Sequence, residues 1–235
     1  MTMLALKNVG FDYGKVTVID KLDLEVQKGE LVCCVGPSGC GKSTLLALLG
    51  GHLQPTRGTL ERKGASRTIY QDGGLYPWLT VRENIALGLP KGTSASTRKE
   101  KIDDWLAITT LRDFADHYPH QLSGGMRQRV ELGRALAAET DILLLDEPFS
   151  ALDYQTRTRM RRELAATLEA RPRTVVFVTH DIEEAVQLGD RVVVLGARPS
   201  NVRRVLDLPP GRPRPPAAPG VAEAEQAIMD ELGLS

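Results

Sequence analysis

The chain has 235 residues, 42% of them hydrophobic, which is enough for one large domain or for a domain that carries an inserted subdomain. Its 30 basic residues balance its 30 acidic residues, so the overall charge does not favour nucleic acid as the main partner. No segment approaches the roughly 20 apolar residues that cross a bilayer, and the N-terminus lacks the pattern of a secretory signal. Three cysteines, Cys33, Cys34 and Cys40, crowd one segment without metal-ligand spacing, so we expect buried or incidental thiols in a reducing cytosol.

Short strands are predicted in the N-terminal part of the chain. Residues 3–35 contain three segments rich in aliphatic and β-branched residues, LALKNV, VTVIDKLDLEV and LVCCV. Turn signals at 13–15 and 28–30 separate them. The leucines of residues 42–50 predict a buried helix, and further strands are expected at 58–62 and 67–71.

Helical periodicity dominates residues 73–138. In the last helical segment Met126, Val130, Gly133 and Ala137 recur at helical spacing. Strands and helices then alternate, with predicted strands at 142–145, 174–179 and 191–195 and predicted helices at 154–170 and 181–188. This alternation predicts an α/β fold whose buried, mostly parallel sheet is interrupted by a helical insertion.

The C-terminal segment is rich in proline. Residues 207–220, DLPPGRPRPPAAPG, cannot form a helix or a central strand, while residues 221–232 fit one short amphipathic helix. We consider two roles for this tail: a simple spacer, or a segment that docks on a neighbouring subunit or regulates closure.

A glycine-rich loop between a predicted strand and a predicted helix matches the phosphate-loop pattern. Its glycines allow successive backbone amides to point at phosphate oxygens, and the following helix N-terminus adds partial positive charge. Lys42 is predicted to bridge the β- and γ-phosphates, Ser43 to ligate Mg²⁺, and Thr44 to support the α-phosphate. By itself the loop indicates a nucleoside triphosphate only. The predicted phosphate-binding residues are Gly36, Pro37, Ser38, Gly39, Cys40, Gly41, Lys42, Ser43 and Thr44.

Two adjacent carboxylates follow the buried strand ILLL. Ligands bind at the carboxyl edge of an open α/β sheet, where this strand ends. We expect Asp146 to hold Mg²⁺ through its water shell and Glu147 to polarise the attacking water. An acidic helix cap or surface loop is the alternative for the dipeptide alone.

The sequence LSGGM at residues 122–126 narrows the class, because with it the chain resembles the nucleotide-binding domain of ABC ATPases. Ser123, Gly124 and Gly125 begin a helix whose free amides form a second anion site. The resemblance implies that this site binds the γ-phosphate held by a second copy of the chain. ATP and Mg²⁺ are therefore the expected cofactors.

Other motifs of the family follow in the expected order between residues 4 and 195. Tyr13 resembles the aromatic residue that stacks on adenine, although it could equally be a packing residue. Gln71 resembles the glutamine that touches Mg²⁺ or the attacking water. Asp153 lies where the family has a loop at the dimer interface, and His180 resembles the histidine that contacts the γ-phosphate.

The resemblance implies an α/β, P-loop NTPase core with a mostly parallel sheet, an N-terminal antiparallel β subdomain and a helical ABC insertion. We assign residues 1–72 and 139–206 to the ATP-binding core, 73–138 to the helical subdomain with the signature motif, and 207–235 to the proline-rich tail.

The segment LYPWLTVREN, residues 75–84, resembles ATPases of nitrate, sulfonate, taurine and related importers. That resemblance implies a permease in the membrane, a separate solute-binding protein and a location on the cytoplasmic face of the membrane. Trp78 fits either a protein contact surface or the core of the helical insertion. The chain departs from the family at Glu131, Gly133 and Asp141, where apolar, alanine and proline residues are more usual.

Two other functions stay open. A soluble ABC protein of translation or DNA repair usually carries two nucleotide-binding domains or a long coiled-coil insertion, for which this chain has no room. A regulatory module without catalysis is the third possibility, and the intact Lys42, Gln71, Asp146, Glu147 and His180 count against it.

Overall fold

A computed structural model describes residues 1–70 and 74–234 and divides the chain into two compact units. The first unit comprises Met1–Thr68, Asp141–Glu147 and the chain from Arg171 onward; the second comprises the described part of Ile69–Thr140 together with Pro148–Ala170. The strands are β1 (Thr2–Tyr13), β2 (Val16–Gln27), β3 (Leu31–Val35), β4 (Arg57–Arg62), β5 (Ser66–Ile69), β6 (Ile142–Asp146), β7 (Thr174–Thr179), β8 (Arg191–Leu195) and β9 (Val202–Asp207). The α-helices are α1 (Lys42–Gly50), α2 (Val81–Ala86), α3 (Ala95–Ile108), α4 (Gly124–Ala137), α5 (Tyr154–Ala170), α6 (Ile182–Leu188) and α7 (Val221–Leu232).

Two sheets and helix α1 form the core of the first unit. One sheet is antiparallel with strand order β2-β1-β4, and the other has the order β5-β6-β7-β3-β8-β9. In the larger sheet, β6, β7, β3 and β8 run parallel and β9 runs antiparallel to β8. The parallel strands are buried along nearly their whole length, and leucines of α1 join one hydrophobic cluster with residues of both sheets. The predicted α/β class with a mostly parallel sheet and an antiparallel β subdomain is confirmed.

The second unit is a helical unit with its own hydrophobic core, to which α2, α3 and α4 contribute. The chain just after α2 passes close to α4 at Gly88, where a Cβ atom would lie 2.1 Å from the Arg134 carbonyl oxygen. A Cβ on Gly133 would lie 3.1 Å from Thr109 Cγ2, which explains the glycine in the interior of α4. The unit also contains Pro148–Ala170, which the sequence boundaries placed in the core.

Polar residues cap the helices at the positions that the sequence pattern favours. Thr80 Oγ1 accepts a hydrogen bond from the Glu83 amide at 3.3 Å, and the Glu83 carboxylate accepts one from the Thr80 amide at 2.8 Å. These reciprocal bonds satisfy two of the amides that a helix start leaves without partners. Ser94 and Ser123 cap α3 and α4 by accepting hydrogen bonds from the Thr97 and Met126 amides. The helix starts are therefore determined locally.

The proline-rich tail packs on its own unit. The Arg214 side chain is buried and donates through Nη1 to the carbonyls of Val186 and Gly189 at 3.0 and 2.7 Å. Its Nε donates to the Pro209 carbonyl at 2.8 Å. Helix α7 then buries three apolar residues and contacts α6, β8 and β9. The tail is therefore anchored to its own unit, so the role of a simple spacer does not fit it.

Candidate nucleotide site

The phosphate loop leaves β3 at the carboxyl end of the sheet and enters α1. Gly41, the residue before α1, has a φ of +109°, a left-handed backbone that L side chains rarely adopt. A Cβ atom at this position would also lie 2.8 Å from Val18 Cγ1. Gly39 has a φ of +75°. The loop therefore requires glycine for its backbone and, at Gly41, also for the close approach of β2.

Lys42 is held inside the curve of this loop. Its Nζ donates to the Gly36 carbonyl at 2.8 Å and to the Pro37 carbonyl at 3.1 Å, and the residue is 7% exposed. Ser43 is exposed and Thr44 is half-buried in the first turn of α1. The ammonium, the two hydroxyls and the amides of the helix start thus belong to one short stretch of chain. This set of donors fits the oxygens of a polyphosphate.

Cys40 belongs to the loop but is not exposed to a ligand as a thiol. It is 1% exposed, and burial raises the pKa of its thiol although the Lys42 ammonium acts in the opposite direction. Burial also raises the pKa of Cys33, and that of Cys34 to about 12. All three thiols are therefore protonated near neutral pH. Cys40 contributes to the loop through its backbone rather than through its sulfur.

Asp146 and Glu147 stand at the carboxyl end of the parallel strand β6, which β7 separates from β3. Asp146 is the last residue of β6, is 4% exposed, and pairs in register with Val178 of β7. Glu147 has a φ of +46°, and its amide donates to the Val178 carbonyl at 3.0 Å. The left-handed residue turns the chain sharply, so successive carboxylates do not continue the alternation of a strand.

Glu147 and His180 meet at the ends of adjacent strands. The distance between Glu147 Oε1 and His180 Nδ1 is 3.1 Å. The glutamate side chain is 14% exposed and the histidine side chain 61% exposed. A carboxylate and an imidazole in this position can hold or transfer a proton at the edge of the sheet where ligands bind.

A hydrogen-bond network that no sequence motif predicted holds the residues on both sides of His180. Thr179 Oγ1 donates to Glu184 Oε2 at 2.9 Å and accepts from the Asp181 amide at 3.0 Å. Asp181 caps α6 by accepting from the Glu184 amide at 3.0 Å. The residues on both sides of His180 are therefore fixed. The spacing Asp-x-x-Glu after the strand is a capping signal that could have indicated it.

Tyr13 stands at the end of β1 with 54% of its surface exposed. Its ring packs edge to face on Phe11 at a centroid distance of 4.8 Å, which leaves a face of the ring for another partner. Tyr13 pairs with Val16 of β2, and Val18 of the same strand approaches Gly41 of the phosphate loop. Strand β2 therefore connects the aromatic residue to the loop.

The LSGGM sequence stands at the start of α4 in the helical unit. Ser123 Oγ accepts from the Met126 amide at 3.2 Å, and Ser123 and Gly124 are exposed. A Cβ on Gly125 would lie 2.9 Å from the Ala151 carbonyl oxygen, so the loop before α5 packs closely on this helix start. Asp153 is exposed and accepts from the Thr156 amide at 3.0 Å, and these hydrogen bonds lower the pKa of its carboxyl. The predicted Gln71 lies outside the described residues.

Hard oxygen donors are available for a magnesium ion. Ser43 offers a hydroxyl and Asp146 a carboxylate, the ligand types that Mg²⁺ prefers together with water and phosphate. Within residues 1–70 and 74–234, no three His, Cys, Asp or Glu side chains gather into a metal-binding group of their own. The donor set thus suits an ion that arrives with a nucleotide.

Taken together, a phosphate loop after β3 and an acidic pair at the end of β6 in the same sheet define a phosphate-loop ATPase. The family model described as ABC transporter matches residues 19–150. The chain is 42% identical to an aliphatic sulfonates import ATP-binding protein of Mesorhizobium japonicum, over 97% of this chain and 88% of that relative. It is 38% identical to a taurine import ATP-binding protein of Jannaschia sp., over 89% of this chain and 83% of that relative.

Solved structures agree with these sequence matches. The dimeric structure of MJ0796, a bacterial ABC transporter cassette, superposes with a TM-score of 0.79 at 33% identity and covers 89% of this chain and 100% of its own. A dimeric post-hydrolysis state of the same cassette, bound to ADP and Pi, also has a TM-score of 0.79, at 32% identity and with the same coverage of both chains. The chain belongs to the ABC transporter family, and it is an ATPase of that family. In the described parts of the chain, no helix combines the length and apolar character needed to cross a membrane.

Proposed function

We propose that the chain is the ATP-binding and ATP-hydrolysing subunit of an ABC importer. It would power uptake of a small solute, an anion such as nitrate, a sulfonate or taurine, through a separate membrane permease. The pair formed by Glu147 and His180 at 3.1 Å carries the proposal, because it joins proton-transfer chemistry to a phosphate loop on the same sheet. The names of the sulfonate and taurine relatives support the solute class.

One half of the proposed site lies in the first unit. The loop amides, Lys42 and Thr44 bind the phosphates, and the exposed face of Tyr13 stacks on the adenine. Lys42 would exchange its carbonyl partners at 2.8 and 3.1 Å for phosphate oxygens, a stronger charge-assisted contact. Ser43, Asp146 and Gln71 are proposed to hold Mg²⁺, which when bound neutralises charge on the β- and γ-phosphates.

Hydrolysis would use the residues at the ends of β6 and β7. Glu147 accepts a proton from the attacking water, and its fixed backbone keeps the carboxylate in one position. His180 lies within hydrogen-bonding distance of that carboxylate and is exposed on its other side, so it can contact the γ-phosphate while orienting Glu147. The Thr179 and Glu184 network fixes the backbone around the histidine.

The other half of the site would come from a second copy of the chain. Ser123, Gly124 and Gly125 present a helix start with free amides, which suits a phosphate. Asp153 belongs to the adjoining loop. We propose a head-to-tail dimer that encloses two ATP molecules, and the dimeric cassettes that resemble this chain support it.

A surface for the permease is proposed on the helical unit. Trp78 is 69% exposed and Tyr76 is 45% exposed, and their rings lie 5.4 Å apart. Exposed aromatic residues of this size are enriched where proteins contact one another. The subunit would then lie at the cytoplasmic face of the membrane, and a solute-binding protein on the opposite side would deliver the solute to the permease.

A variant of Glu147 and a matched control test the catalytic role in an assay of phosphate release from Mg·ATP. Glu147→Gln should lower kcat by roughly 10²- to 10⁴-fold, the usual contribution of a general base, while ATP binding is retained. Glu139→Gln, a change at an exposed carboxylate, is the control. Normal turnover by the Glu147 variant would remove this residue from the proposed role.

The shared site is tested by Ser123→Arg. Loss of this cap and loss of the equivalent cap by Ser94→Arg should cost similar stability, about 1 kcal/mol each. Only Ser123→Arg should block ATP-dependent dimerisation and hydrolysis, because only this helix start would face the partner's nucleotide. Equal ATPase rates for the two variants would argue against the dimer. Stimulation of the ATPase by a co-purified permease would separate an importer from a soluble ABC ATPase.

A further inference from the structure

A carboxylate is buried in the middle of α4, the helix that starts at the signature motif. Glu131 is 4% exposed and lies eight residues after the N-cap of α4. An ionised carboxylate removed from water costs several kcal/mol unless hydrogen bonds and charges compensate it. Its partners must therefore account for its presence.

Those partners lie in one segment outside the helix. The Gly74 amide donates to Glu131 Oε1. Arg134, one turn further along α4, donates from Nη2 to the Gly74 carbonyl at 2.8 Å. Side chains of α4 thus bond both polar groups of the Gly74 backbone.

The same segment is fixed at its other end by α2. Asn84, fully buried, accepts from the Tyr76 amide at 2.9 Å and donates to the Leu79 carbonyl at 3.0 Å. We call residues 74–79 the aromatic segment, because they include the exposed rings of Tyr76 and Trp78. The Arg134 guanidinium also lies 5.8 Å from the centroid of the Tyr76 ring. The aromatic segment has no helix or strand of its own and depends on these side chains.

We propose that Glu131 is a positioning residue that couples the aromatic segment to α4, so that displacement at Trp78 is transmitted to Ser123 at the start of that helix. Glu131 lies eight residues after Ser123, or about 12 Å along the same hydrogen-bonded helix. The charge-assisted bond from the Gly74 amide to the carboxylate holds the segment more strongly than a neutral contact would. With an apolar residue at position 131, the bond from Arg134 Nη2 to the Gly74 carbonyl would remain, but the bond from the Gly74 amide to α4 would be lost. The inference rests on the proposed function for what binds at the two ends, and adds the residue that joins them.

The link is tested without nucleotide by hydrogen exchange and by tryptophan fluorescence. The chain has two tryptophans, so Trp105→Phe makes Trp78 the sole reporter. In that background Glu131→Ala should speed amide exchange in residues 74–79 by at least tenfold and increase acrylamide quenching of Trp78. Alanine favours the helix, so the variant should fold. Glu131→Gln, which keeps one acceptor oxygen, should show exchange and quenching between those of the parent and of Glu131→Ala. Glu139→Ala should show the same exchange and quenching as the parent. Unchanged exchange in Glu131→Ala would overturn the proposal.

Transmission is tested by adding a non-hydrolysable ATP analogue. Its binding should change Trp78 emission in the Trp105→Phe protein, and Glu131→Ala should lose at least half of that change while keeping the same dissociation constant. The KM for ATP and the kcat of the subunit alone should stay within twofold. A full emission change in Glu131→Ala, or bound analogue with no response at Trp78 in the parent, would refute the coupling. A parent that neither binds nor hydrolyses ATP would instead refute the proposed function, while the exchange experiment still decides whether Glu131 holds the segment.

Discussion

Replacing Arg214 by alanine should destabilise the first unit by about 2–4 kcal/mol. The guanidinium donates to the carbonyls of Val186, Gly189 and Pro209 at 2.7–3.0 Å, and the residue is 5% exposed. Hydrogen bonds that involve a charged group contribute roughly 1.5–3 kcal/mol each. Burial of the guanidinium, which also lowers the pKa of Arg214, offsets part of that sum. Water that enters the space left by the side chain can rebond some carbonyls, so the loss should be smaller than the three bonds together.

Thermal unfolding followed by circular dichroism measures this effect. A domain of this size loses roughly 2–4 °C in Tm for each kcal/mol, so the expected decrease is about 4–16 °C. Arg214→Lys keeps the charge but not the planar guanidinium, so its Tm should lie between those of the wild type and of Arg214→Ala. Arg204→Ala, at an exposed arginine of β9, should change Tm by less than about 2 °C. A Tm of Arg214→Ala that matches this control would refute the anchoring role of the tail.

Three further results are expected. Lys42→Ala should weaken ATP binding by roughly 10- to 150-fold in calorimetry, the loss of one charge-assisted contact, and an unchanged dissociation constant would contradict its role. Gly88→Ala should destabilise the helical unit by more than 2 kcal/mol in urea, because the added Cβ would lie 2.1 Å from a backbone oxygen; a change below 0.5 kcal/mol would show that α2 can shift freely. Burial raises the pKa of Glu131 above its ordinary value of 4.5, although the Gly74 and Leu75 amides, Arg134 and Arg127 oppose the shift. The stability that this shift contributes is present below pH 4.5 and is lost as pH rises through the pKa of the folded state. Glu131→Gln should therefore gain stability relative to wild type from pH 4.5 to 7. Free energies of unfolding in urea that change in parallel with pH for the two proteins would exclude this effect.

Local signals predicted the parts of the fold that depend on neighbouring residues in the chain. The segment 154–170 has strong helical periodicity, and α5 has the same bounds. The turn at 13–15 separates β1 from β2 as expected. Strand β9 was not predicted, because VRRVLD places arginines next to valine without alternation, and it exists through backbone pairing with β8. Pairing with a strand that is distant in sequence leaves no local signal.

Some parts of the candidate site could be predicted from local sequence and others could not. Phosphate-loop glycines carry a local pattern, and the structure shows the backbone reason at Gly39 and Gly41. Glu147 and His180 are close together because β6 lies beside β7 in the sheet. The order of strands along the chain does not reveal which strands are adjacent. Two departures from the family also have tertiary causes: Asp141 accepts a hydrogen bond from the Ala65 amide at 2.9 Å, and Glu131 binds the aromatic segment.

The left-handed backbone at Glu147 has a consequence for which acid can stand there. Aspartate and asparagine are several-fold enriched in this region of backbone space, so an aspartate would suit the turn at least as well as a glutamate. The chain nevertheless carries the longer acid, whose carboxylate reaches the His180 imidazole at 3.1 Å. A side chain shorter by one methylene group would keep the charge but would not carry its carboxylate as far toward His180. The contact between the ends of β6 and β7 therefore depends on side-chain length as well as on charge.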